Sequence, residues 1–374
     1  MEGVPDHSRS CCAAVLDEAL CRRPERLANA LAQLTARVEA GCSAAELRKF
    51  TTRQLAALGV TPDWATGERA AQWQSAAPGR HLLVRGDPAY PQLLSVIPDP
   101  PSLLWVDGDP LLLGRPQLAV VGSRRASPGG RETARRLAGA LAACGLVITS
   151  GLATGIDAAA HCGALDAAAP TLAVFGCGID HIYPAAHRSL AARIRERGAL
   201  VSEFGPGVRP QAWFFPRRNR IISGLALGTL VVEAASTSGS LVTAKHALDQ
   251  GREVFAVPGS ILNPLSRGCH QLLRDGAVLT ETPADVLAEL RGFTPTVRGG
   301  SEPSSAEKAL PALSPRERAV LACCDFSPLG LDAIVEECGL TASEVSSILT
   351  ALEMKGVVSA VSGGAYVRTG KMPA

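Results

Sequence analysis

Two hydrophobic rhythms run through the 374 residues. In the centre, about 117 to 290, short continuous apolar runs at 118–121, 146–149, 171–175, 200–202, 229–232 and 254–257 alternate with helical stretches. In the first of those stretches Ala134, Leu137, Ala138 and Leu141 recur at i, i+3, i+4 and i+7, and Gly145 follows as a helix stop. Continuous apolar strands joined by helices predict a parallel sheet covered on both faces. The expected fold class is therefore α/β: a Rossmann-like, doubly wound, mostly parallel sheet.

The flanks read differently. From about 24 to 77 the period is helical, with a capping box at Ser43 and Glu46 and a helix end at Gly59, so 13–80 is expected to be a small helical domain of the SAM-like or helix-hairpin-helix-like kind. Two short strands, 82–84 and 103–106, lead through Pro-rich turns into the central unit of 81–290. Residues 291–312 have the composition of a linker. Beyond them, three helical patterns (315–323, 331–338, 341–355) and two short strands flanking Gly363-Gly364 predict a winged helix over 313–370.

Composition narrows the function classes. The net charge is only +2, so any nucleic-acid site must be a local concentration of charge. The eleven cysteines are scattered, no two at Cys-x-x-Cys spacing, and the N-terminus lacks a signal peptide's apolar core; the expectation is reducing cytoplasm, with no metal and no cofactor. The uncharged residues 137–156 are long enough to span a bilayer, yet their four glycines and their Ser and Thr read as helix, strand and turn, so no membrane is expected.

Candidate chemistry lies at the strand ends. Gly122-Ser123-Arg124 follows the first strand, and Gly151, Thr154 and Gly155 follow the second. Glu203 follows the fourth, and Glu233 with Ser238, Gly239 and Ser240 the fifth. In an open parallel sheet these loops share the carboxyl edge, where ligands bind; glycines admit an anion to the backbone and helix N-termini point free amides at it. Neither a P-loop nor a complete dinucleotide fingerprint occurs. Asp157 and His161, four apart, read as a helix-terminus charge and a structural hydrogen bond before an acid/base pair. A nucleotide-cleaving hydrolase with Glu233 as its acid is the rival from another class. The stretch 214–224, FFPRRNRIISG, places Arg217, Arg218 and Arg220 beside Phe215 and Asn219, with no acidic residue between Arg209 and Leu230. Guanidiniums there suit phosphates and the ring suits an unstacked base, unless Phe215 is core.

These motifs resemble those of the DNA-processing protein A (DprA, also Smf) family: VVGSRRAS from Val120, SGLATGIDAAAH from Ser150, GCGIDHIYP from Gly176, SEF from Ser202, FPRRNRIISGL from Phe215, SGSLVTA from Ser238 and VPGSI from Val257. The resemblance covers about residues 90–280 and leaves the two flanks looser. It implies a non-enzymatic protein that binds single-stranded DNA, forms a homodimer through the Rossmann-like domain, and loads RecA recombinase on incoming strands during natural transformation. The DNA-binding residues it implies, joined to those read from the edge loops, are Gly122, Ser123, Arg124, Gly151, Thr154, Gly155, Phe215, Arg217, Arg218, Asn219, Arg220, Ser223, Ser238, Gly239, Ser240, Thr243 and Lys245. Protein contact is expected of the tail, whose residues 311–374 hold five basic against seven acidic side chains.

Overall fold

The computed structural model describes residues 6–20, 23–290, 293–294, 313–324, 328–361 and 363–369. Four helices open the chain: α1 (Asp6–Leu20), α2 (Pro24–Glu39), α3 (Ala44–Ala56) and α4 (Trp64–Ser75). Helix α1 precedes the start expected near Pro24. The Ser43–Glu46 capping box is formed at the head of α3, and Gly59 takes the positive φ that ends the turn after it. Leu16, Leu31, Leu34, Leu47 and Leu55 are fully buried, but the core they build is continuous with Trp105, Phe175 and Leu200 of the central sheet. Trp73 meets Trp105 edge-on, with ring centroids 5.5 Å apart.

The central unit holds nine strands. Strand β1 (Arg80–Val84), a short helix α5 (Gln92–Ser95) and β2 (Leu103–Gly108) lead in. Then follow β3 (Gln117–Val121), α6 (Pro128–Ala143), β4 (Val147–Ser150), α7 (Ile156–Asp166), β5 (Thr171–Phe175), α8 (Arg188–Arg197) and β6 (Ala199–Ser202). Next come α9 (Phe214–Leu225), β7 (Gly228–Val231), α10 (Gly239–Asp249), β8 (Glu253–Ala256), α11 (Arg267–Arg274), β9 (Val278–Leu279) and α12 (Pro283–Glu289). The spatial order is β1-β2-β6-β5-β4-β3-β7-β8-β9. The first three pair antiparallel and the rest parallel. All six expected strands are present, with ends moved by at most one residue; β9 was not foreshadowed by periodicity because it is only two residues long.

Burial on two faces follows from the period-2 geometry of a strand. Leu118 and Val120 of β3 face α6, α7 and α12, whereas Ala119 and Val121 face α9, α10 and α11. The uncharged 137–156 run resolves as the end of α6, a turn at Gly145 (φ +100°), β4 and a loop. No helix among the described residues is long and apolar enough to cross a membrane.

The C-terminal winged helix comprises α13 (Pro315–Cys323), β10 (Leu329–Gly330), α14 (Leu331–Cys338), α15 (Ala342–Met354), β11 (Val358–Val361) and β12 (Ala365–Arg368). Capping boxes start α13 and α15, and Gly363 and Gly364 both take the positive φ of a tight hairpin. Leu321, Ile334, Val345, Leu349 and Leu352 close a core. The expected 291–312 linker falls, apart from residues 293 and 294, outside the described residues.

Candidate nucleic-acid interface

Strands β3 and β7 are neighbours, yet the chain leaves β3 toward α6 on one face and β7 toward α10 on the other. Such a switch point opens a crevice at the carboxyl edge. Here it is a cleft of about 580 Å³ between the β3 loop, α9 and the start of α10. It gathers Gly122, Ser123, Arg124, Phe215, Arg218, Asn219, Ser238, Gly239, Ser240 and Thr243. Arg217, Arg220, Ser223, Lys245 and the loop glycines 151 and 155 with Thr154 lie outside its lining.

The 214–224 stretch is a helix from its first residue, and its 3.6-residue period sorts its side chains. Phe215, Asn219 and Ile222 line the cleft. Phe214, Arg218, Ile221 and Leu225 are buried, and Arg217 and Arg220 turn toward the end of β6. Arg218 and Arg220, expected to contact phosphates, are thus buried and engaged by protein carbonyls and carboxylates, with Arg218 still lining the cleft.

Arg218 forms the floor of the cleft and is only 4% exposed. Its Nη1 donates to the carbonyl of Gly151 at 2.9 Å and to that of Val174, and its Nε to Asn219 Oδ1 at 3.2 Å. Burial pulls its pKa down to about 10, against the attraction of Asp157, so it stays charged at neutral pH. Arg220 donates to Glu203, which also takes Arg217 at 3.1 Å, and lies 3.1 Å from Asp99. The charge that looked unbalanced along the chain is balanced in space by carboxylates from two earlier segments.

The β4 loop is the bracket that holds this floor. A Cβ on Gly151 would stand 2.5 Å from the Arg218 guanidinium, and one on Gly155, already at φ +81°, would stand 2.2 Å from the Ser123 carbonyl. Thr154 Oγ1 donates to the Arg124 carbonyl at 3.1 Å. Asp157 is buried and accepts from the amides of Gly151 (3.1 Å) and Ala153 (3.3 Å); burial raises its pKa against the pull of Arg218. Gly151, Thr154 and Gly155 shape the β3 loop from outside the cleft lining, whereas Asp157 belongs to it.

The rim is different. Arg124 and Arg125 are exposed and take part in no ion pair among the described residues. Arg124 Cζ lies 5.6 Å from the centre of the half-buried Phe215 ring. It is the neighbouring Phe214 that enters the interior, against Phe204 at 4.0 Å and Trp213 at 4.2 Å. On the opposite wall Ser238 caps α10 and shares a 2.7 Å hydroxyl contact with Ser240, while Asn219 Nδ2 donates to the Gly239 carbonyl at 3.3 Å. The helix's first amides thus border a cleft with two free guanidiniums on its rim, a seat for an anion. Ser223 bonds back to its own helix, and Lys245 is exposed on the outer side of α10.

The candidate acid/base groups are engaged in the scaffold. Thr171 Oγ1 donates to the Ile148 carbonyl, so His161 Nδ1 donates to Thr171 Oγ1 at 2.7 Å. His161 is fully buried, and burial pulls its pKa down to about 3. Glu233 accepts from the Ser127 amide (2.9 Å) and hydroxyl (2.6 Å), capping α6 rather than facing the cleft. Sequence reasoning passed over Arg125 and Tyr183; the first was signalled by its place in the same β3 loop, the second only by a ring contact that needs the fold.

A profile of the family "DNA recombination-mediator protein A" matches residues 81–291, more than half of the chain, and one for the "DprA winged helix domain" matches 304–364. The Escherichia coli protein Smf is 45% identical over 297 residues, covering 78% of each chain. The Streptococcus pneumoniae DNA processing protein DprA is 48% identical over 203 residues, covering 54% of this chain and 72% of that one. Its X-ray structure superposes with a TM-score of 0.57 at 38% identity, over 75% of this chain and 93% of the other. A Helicobacter pylori DNA processing protein A, described for its single-stranded DNA binding mode, superposes with a TM-score of 0.51 at 29% identity over 56% of this chain and 95% of its own. With motifs, sheet topology and winged helix in agreement, the chain belongs to the DNA recombination-mediator protein A family, the DprA/Smf proteins.

Proposed function

We propose that this protein binds single-stranded DNA in the switch-point cleft and, as a cytoplasmic homodimer joined through its central domain, loads RecA recombinase onto incoming strands during natural transformation. The observation that carries the DNA-binding part is the pairing, on one cleft, of two exposed guanidiniums, which form no ion pair among the described residues, with an accessible ring and a capped helix N-terminus. Arg124 and Arg125 neutralise phosphates, Phe215 stacks on a base, and Ser123, Asn219, Ser238, Gly239, Ser240 and Thr243 orient the backbone. Gly122, Gly151, Thr154, Gly155, Arg218, Arg220 and Ser223 hold the cleft's shape, with Arg217 and Lys245 at its periphery. RecA loading and dimerisation rest on the family resemblance.

The winged helix is read as a protein-contact module. Two of its cations are already paired within the module, Lys355 with Glu317 at 2.6 Å and Arg316 with Glu344 at 3.5 Å. A chain ending at Arg291 should keep single-strand affinity within about tenfold, ~1.4 kcal/mol, of the full-length protein. For the mediator role, the full-length protein should speed RecA nucleation on strands coated by single-strand binding protein. Absence of acceleration at every protein ratio, with DNA binding intact, would overturn that role alone.

A further inference from the structure

We propose that Tyr183 is a second base-stacking platform, which carries the strand out of the cleft along the carboxyl edge of the sheet; the inference rests on the cleft being a single-strand site. Tyr183 is 50% exposed, and its ring centre lies 5.4 Å from that of Phe215, inclined at 44°. Phe215 in turn lies 5.6 Å from Arg124 Cζ. Three flat groups are therefore contiguous. They lead from the loop after β3 to the loop after β5, two strands away, a step of about 10 Å at ordinary strand spacing. Among the described residues the only other exposed aromatic is Trp213, directly before α9.

A stacking ring is useful only if it is held in place, and the Tyr183 loop is tied down. His187 Nδ1 donates to the Leu152 carbonyl at 2.8 Å, the Cys177 thiol to the His181 carbonyl at 3.1 Å, and the Gly207 amide to Asp180 at 2.9 Å. The Tyr183 hydroxyl has no partner among the described residues, so its exposure is not explained by a structural hydrogen bond. The nearby ionisable pair is Asp180 with His181, 3.0 Å apart, so a carboxylate borders this loop. This end of the track recognises the face of a base.

The test compares oligothymidylates of increasing length on wild type, Tyr183→Leu and Tyr183→Phe. Tyr183→Leu should leave the shortest strand that binds unaffected and weaken a longer one by roughly ten- to a hundredfold with an unchanged salt slope; Tyr183→Phe should bind as wild type. Iodouracil placed along the long strand should photocross-link to Tyr183. Length-independent loss, or no loss and no cross-link while Arg124→Ala still weakens every length, overturns the platform and spares the cleft. If Arg124→Ala and Phe215→Leu bind all lengths as wild type does, the cleft reading itself fails. Melting curves on each variant identify loss of fold, in which case the cross-link on wild type decides.

Discussion

The arginines of the β3 loop and those of α9 are the same residue type and differ only in environment. Arg124 and Arg125 on the rim are exposed and unpaired among the described residues, whereas Arg218 and Arg220 on α9 are 4% and 6% exposed, the first bonded to carbonyls and the second paired with carboxylates. The rim pair carries free charge that a ligand can neutralise. The buried pair carries charge that the fold has already used. A basic run in a sequence measures neither; only its partners in space separate a binding group from a structural one.

The sharpest way to break that contrast is to remove a buried member. Arg220→Ala strips Glu203 of its best partner, and loss of one half of a buried ion pair should cost about 3–5 kcal/mol of stability in chemical denaturation. An unchanged midpoint with weakened DNA binding would show that Arg220 faces the ligand after all.

Titration probes the same interior. His161 has a folded pKa of about 3 against an ordinary 6.5, so the unfolded chain takes up its proton first. The stabilising effect is complete above pH 6.5 and declines as pH falls toward 3, by about 3 kcal/mol at pH 4. Asp157, whose pKa is raised, contributes with the opposite sign. The check is therefore the difference in pH slope between wild type and His161→Gln, which should vanish if the imidazole is not the cause.

Phe215→Leu should weaken single-strand binding by roughly 1–3 kcal/mol, leaving both the salt slope and the melting temperature in place. If the melting temperature drops and binding holds, the ring is packing and not recognition. The smallest stability effect belongs to the rim: Arg124→Ala and Arg125→Ala should stay within about 0.5 kcal/mol of wild type in folding. Each should flatten the salt dependence by roughly 0.7 per lost phosphate contact.

Much of this fold is legible in the sequence. Strands buried on both faces leave continuous apolar runs, so 171–175 matched β5 to the residue, and small residues after each strand marked the edge where the cleft opens. The winged helix was readable because its capping boxes and Gly363-Gly364 are local signals. What escaped was the facing of α9. Arg218 stands at the i, i+3, i+4 and i+7 spacing of Ile221, Ile222 and Leu225, a stripe that marks it as inward, but that periodicity is visible only once the stretch is taken as a helix rather than a basic loop. Glu203 and Asp99 were not foreseeable as its neighbours' partners, because nothing local ties residue 220 to residue 99.

The continuous core beneath the N-terminal helices has a consequence for synthesis. Helices α1 to α4 leave the ribosome before the central sheet, yet the apolar surface they cover is completed by Trp105, Phe175 and Leu200. Until Leu200 has been made, these four helices lack part of the surface they bury against, and the uncovered apolar side remains open to chaperones or to a neighbouring nascent chain. Slowing elongation just before that point should lengthen this window, and slowing it just after should not.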